Sequence, residues 1–123
     1  MNKNSLFINF SNHPSSRWGD AQLAAAEEYG EICDLPFPMV DEQSSEEEVS
    51  QLADRYVATI MSMGKPEEIT VHIMGEMTFT FMVVTRLKEL GIRCVASTTE
   101  RKTTYNDDGT KVSEFSFVRF REY

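Results

Sequence analysis

Three short stretches of this chain carry residue types that could do chemistry together. Ser11-Asn12-His13-Pro14-Ser15-Ser16-Arg17-Trp18 offers hydroxyls, an amide, an imidazole and a guanidinium beside an indole. Gly75-Glu76-Met77-Thr78 runs straight from an apolar segment into an apolar helix. The free backbone N–H groups and the dipole of such a turn attract a phosphate or carboxylate. Thr98-Thr99-Glu100-Arg101-Lys102 supplies two cations able to neutralise an anion. The chemistry these describe is ligand binding, with His13 and Glu76 as an acid–base pair if the fold brings them together. Each stretch also has a plainer use. Serine and asparagine beside proline serve in any turn, His13 suits an exposed loop, and Arg101 with Lys102 suits the solvated face of a hairpin. Glu76 could cap its own helix and take the place of a ligand. His72 fits a hydrogen-bonded core residue, and Trp18, ahead of a helix, fits a staple onto the core as readily as a platform for a base.

Composition narrows the partners. A formal net charge of -8 opposes a grip on long nucleic acid, which needs a basic face, and leaves room only for a small, locally neutralised anion. With 123 residues, 41% of them hydrophobic, residues 1–123 read as one domain able to bury a sizeable core. Cys33 and Cys94 lie in apolar runs without a C-x-x-C partner or clustered histidines. They read as small hydrophobes in a reducing, cytoplasmic setting, and neither a metal nor a cofactor is expected. The opening MNKNSLFINF has no cleavage-site pattern and no apolar run reaches the length of a bilayer span, which argues against secretion and membrane insertion.

The elements that must position these groups follow from periodicity and punctuation. Leu6 to Phe10 reads as a buried strand and Asp20 to Tyr29 as a helix closed by Gly30; Glu31 to Leu35 reads as a strand stopped by Pro36 and Pro38. Ser44 to Met63 predicts a second helix, with a capping box from Ser44 to Glu47 and apolar residues at helical spacing. Residues 69–74 predict a strand, and 77–90 a third helix whose core face is Phe79, Met82, Val83, Leu87 and Leu90. Ile92 to Thr98 predicts a strand extending toward Thr104, followed by a hairpin at Asn106-Asp107-Asp108-Gly109 and a returning strand from Val112 to Phe120. Alternating strands and helices require crossovers. The expected fold class is therefore α/β: a Rossmann-like three-layer sandwich, its sheet mainly parallel in the order 2-1-3-4-5, with an antiparallel C-terminal hairpin strand.

In such a sheet ligands bind beyond the carboxyl ends of the strands, where strand order reverses. That crevice brings together the loop after the first strand and the turn at Gly75. No G-x-G-x-x-G, G-x-x-x-x-G-K-[ST] or G-x-S-x-G motif is present. The third helix carries Phe81 and Val84 opposite its core face. This helix, or the aromatic last strand with Phe115, Phe117 and Phe120, is expected to form a homodimer interface.

The segments "LFINFSNHPSSRW", "DLPFP" and "MGEMTFTF", with the terminal hairpin, resemble the small stand-alone CRISPR-associated proteins with a Rossmann-like domain. These are relatives of sensor domains that bind cyclic oligoadenylates, some of which act as ring nucleases. The resemblance implies antiviral defence, and a nucleotide held across a dimer axis by Ser11, Asn12, His13, Gly75, Glu76 and Thr78; the location of Arg101 adds a cation. The strongly negative charge departs from that pattern, as does Glu76 where an anion would sit. Three functions compete: nucleotide binding, with or without ring-opening cleavage; a non-enzymatic protein-interaction module; and a small-molecule enzyme using Glu76 and His13.

Overall fold

The chain is described by a computed structural model over residues 5–123; residues 1–4, which begin the stretch read for a cleavage signal, lie outside it. The elements run β1 (Leu6–Ser11), α1 (Asp20–Glu27), β2 (Glu31–Asp34), α2 (Glu46–Met61), β3 (Ile69–Met74), α3 (Met77–Glu89), β4 (Arg93–Tyr105) and β5 (Lys111–Glu122), with single 3-10 turns at Ser15–Arg17 and Pro66–Glu68. The strands form one five-stranded sheet in the order β2-β1-β3-β4-β5. The first four are parallel and β5 returns antiparallel to β4.

Strand side chains alternate between two cores, as the period of two requires. Ile8, Phe10, Val71 and Ile73 meet Val49, Ala53 and Ile60 of α2 and Phe79, Val83 and Leu87 of α3. Phe7 and Val95 meet Ala26 of α1, Trp18 and Phe120. β1 and β3 therefore bury both faces, which is why they read as near-continuous apolar runs.

Where the sequence misplaces an element, a local bond explains it. The capping box is Ser45 with Glu48, not Ser44 with Glu47, because Ser44 N–H is already committed to Asp41 O at 3.0 Å in the preceding turn. Val84 joins the core and Leu90 does not: α3 ends at Glu89, Gly91 turns with φ +81°, and Ile92 enters the core in place of Leu90, its N–H donating to Leu87 O at 2.9 Å. Phe120 is buried, and Phe117 packs beside it against the α1-side core, so of the three aromatics assigned to a dimer interface only Phe115 is exposed.

β3 turns into α3 through Met74, Gly75 and Glu76. A Cβ at Gly75 would overlap the ring of Phe37, which leans on this turn from the segment after β2 and packs against Phe10 and Phe79. Close packing of an aromatic ring therefore accounts for the glycine. Gly75→Ala should destabilise by about 1–3 kcal/mol in chemical denaturation, and Phe37→Ala should couple to it favourably in a double-mutant cycle. Simple additivity of the two would show that the ring does not set this requirement.

Candidate functional site

The polar centre of the fold is set by register. Asp34, Asn9 and His72 are direct neighbours across β2, β1 and β3. Asn9 Nδ2 donates to Asp34 Oδ1 at 2.9 Å and to His13 O at 2.8 Å. Both acceptors fix the amide, so its Oδ1 must face the other way, where it accepts from Ser11 Oγ at 2.7 Å and meets His72 Nδ1 at 2.9 Å. An amide oxygen cannot donate. His72 therefore carries its proton on Nδ1, and its Nε2 is a bare acceptor. Asp34 extends the network into the loop, accepting from Ser15 N at 3.2 Å and Ser15 Oγ at 2.9 Å.

Above this network a cleft of about 430 Å³ opens at the carboxyl ends of β1, β3 and β4. Ser11, Asn12 and His13 line one wall, Arg17, Trp18 and Gln22 another; Met74, Gly75, Ser97 and Thr99 close it, and His72 forms the floor. Trp18 and His72 meet edge to face with ring centres 5.5 Å apart. A larger hollow, about 710 Å³, lies at the opposite end of the sheet among Glu67, Glu68 and Arg93, away from the strand ends where ligands bind in parallel sheets.

Of the residues singled out from sequence, Ser11, Asn12, His13 and Gly75 meet at this cleft. Glu76 and Thr78 do not line it. Glu76 caps α3 itself, accepting from Phe79 N at 2.7 Å and Thr78 Oγ1 at 2.6 Å, and these bonds hold its carboxyl below the usual range. The helix terminus is thus already occupied, and an ionised, committed Glu76 is a poor proton donor to pair with His13. Arg101 sits on the hairpin, donating to Ser113 Oγ at 3.2 Å, and is not among the cleft residues; Arg17 is the cation there. Asn9, Asp34 and the cleft-facing role of His72 are not among the residues that the sequence offers for a site, whereas Arg17 and Trp18 belong to the stretch it brings to the crevice. The signal was present as polar residues at alternate positions of apolar strands, Asn9 and Ser11 in β1, Thr70 and His72 in β3. Among the described residues no cluster of three His, Cys, Asp or Glu side chains is placed to hold a metal ion.

The chain matches the uncharacterized protein MJ1673 family over residues 5–121. It belongs to that family. The MJ1673 match spans β1 to β4, all of β5 but its last residue, and all the residues of the cleft. Comparison with curated proteins finds no match.

Burial, with the charge of nearby His13 adding to it, pushes the His72 pKa from 6.5 down to about 4. Above pH 6.5 the imidazole is neutral folded and unfolded, so it contributes no pH dependence. Between 6.5 and 4 the unfolded chain alone takes up the proton, and stability falls by about 3 kcal/mol in all. Denaturation at pH 7 and pH 4.5 should cost the wild type roughly 2–3 kcal/mol more than His72→Gln. Equal losses would mean that this imidazole does not go uncharged into the fold.

Proposed function

We propose that the chain binds a small nucleotide, a cyclic oligoadenylate in the first instance, at the carboxyl ends of its parallel strands. The observation that carries this reading is the cleft itself. Its size suits one nucleotide unit, its walls combine hydroxyls, an amide and an imidazole with an indole, and Arg17 provides positive charge in an otherwise acidic chain. The resemblance to stand-alone CRISPR-associated proteins points the same way. In keeping with it, the fold is taken as a Rossmann-like three-layer sandwich, with α1 on one sheet face and α2 and α3 on the other.

A cyclic ligand larger than one cleft calls for a second copy. Next to the cleft, sharing Met74 and Gly75 with it, lies an apolar hollow of about 300 Å³ formed with Met77, Thr80, Phe81, Val84 and Tyr123. Met77 is 85% exposed and Phe81 73%. Burying this surface between two copies would set their clefts side by side. The same apolar surface favours the protein-interaction reading if no nucleotide binds. A reducing, cytoplasmic location accords with Cys94, whose thiol burial pushes up to about 12, and with Cys33, which is also free. No helix among the described residues is long and apolar enough to cross a membrane.

Thermal unfolding against mononucleotides, dinucleotides and cyclic oligoadenylates tests the reading. A true ligand at a hundredfold excess over its Kd stabilises by about 2.7 kcal/mol. Arg17→Ala should abolish that shift and Arg101→Ala should preserve it, with chromatography reporting any ring opening. No shift with any nucleotide would leave the interaction module. Light scattering should find a dimer that Phe81→Glu converts to monomer; a monomeric wild type would remove the two-copy arrangement.

A further inference from the structure

Two buried nitrogens at the cleft, Trp18 Nε1 and His72 Nε2, have no partner among the described residues. Trp18 is 9% exposed and His72 2%, and both line the same hollow. Every other hydrogen-bonding atom of the network beneath them is matched: Asn9 uses both amide hydrogens and its oxygen, and Ser11 and Asp34 are engaged. A buried polar atom without a partner costs free energy, so a matched network that ends in two unmatched atoms at a cleft marks where something else binds.

Their chemistry is complementary. An indole N–H only donates. His72 Nε2, in the tautomer that Asn9 imposes, only accepts. A hydroxyl group can accept from the first and donate to the second. Both atoms are almost wholly covered, so a small movement of the side chains around them must admit what reaches them, and that is the tip of a small group and not the flat edge of a base. We infer that Trp18 Nε1 and His72 Nε2 form a subsite for a ribose hydroxyl, making the cleft selective for ribonucleotides over their deoxy counterparts. Asn9 is the positioning residue, since it decides which nitrogen of His72 faces the ligand. The inference deepens the nucleotide reading and rests on it for the choice of ligand class, but the donor–acceptor pair would receive a free sugar hydroxyl in the same way. A site built around a hydroxyl rejects the analogue lacking it, because donor and acceptor are then left buried and unpaired.

The test is nitrogen NMR of the full chain with labelled histidine and tryptophan, titrated with adenosine 5′-monophosphate, its 2′,3′-dideoxy analogue and free ribose. The expected result is that the ribonucleotide moves the His72 Nε2 and Trp18 Nε1 signals together, while the dideoxy analogue binds about 10–100-fold more weakly and moves neither. Trp18→Phe, which keeps the aromatic body and removes the N–H, should bring the two affinities toward equality. If both nucleotides bind equally and shift only signals elsewhere in the chain, nucleotide binding stands and the hydroxyl subsite is overturned. If ribose moves both signals and neither nucleotide does, the subsite stands and the nucleotide reading falls. Silence from all three probes overturns both.

Discussion

The side-chain amide of Asn9 holds the polar half of this molecule together. It stands on the central strand of a three-strand row, between Asp34 and His72, and uses both hydrogens and its oxygen on four partners. The result depends on parallel register. A slip of one residue in β1 would turn Asn9 toward the α2 and α3 core and Phe10 toward α1, so the burial of Phe10 and the hydrogen bonding of Asn9 enforce the same alignment. Apolar packing selects the fold, and the amide then orders what lies at its top edge: the His13 carbonyl, the Ser11 hydroxyl, and through Asp34 the turn at Ser15.

Two routes to anion binding were open at this edge, and the chain has closed one of them. The amino terminus of α3 is a ready site for a phosphate, but Glu76 fills it with a carboxylate from its own backbone neighbourhood. What remains is a cleft displaced toward β1 and β4, with neutral hydrogen-bonding groups on its floor and a single guanidinium at its rim. Recognition in such a place depends more on matched donors and acceptors than on net charge, so a formal charge of -8 does not oppose the anionic ligand proposed above.

Much of the fold was legible because its signals are local. Gly91 and Pro66 mark turns, the acidic first turn marks α2, and the bounds of β3 follow from a run of six residues that are all apolar or β-branched except His72. The strand order is the one expected, although right-handed crossovers only narrow the possible orders and do not single one out. The site was legible in place but not in membership. Ser11, Asn12, His13 and Gly75 were reachable because the loop after β1 must lie at the switch point, whereas Arg17 and Arg101 could be told apart only by knowing how far β4 runs past the sheet. The role of Asn9 needs partners 25 and 63 residues away, and no local pattern carries such information.

β4 pairs with β3 only as far as Val95, yet continues with β5 alone to Tyr105, past an irregularity between Thr98 and Thr99. Among the described residues, the outer part of this ribbon, including Val112 and Phe115, has no third strand beside it and little buried apolar surface. A two-stranded ribbon is marginal in water, whereas the inner strands open only with the whole domain. The molecule therefore has two stabilities along one pair of strands. Amide hydrogens near Arg101 would trade with solvent through opening of the ribbon alone, while those near Val95 wait for global unfolding.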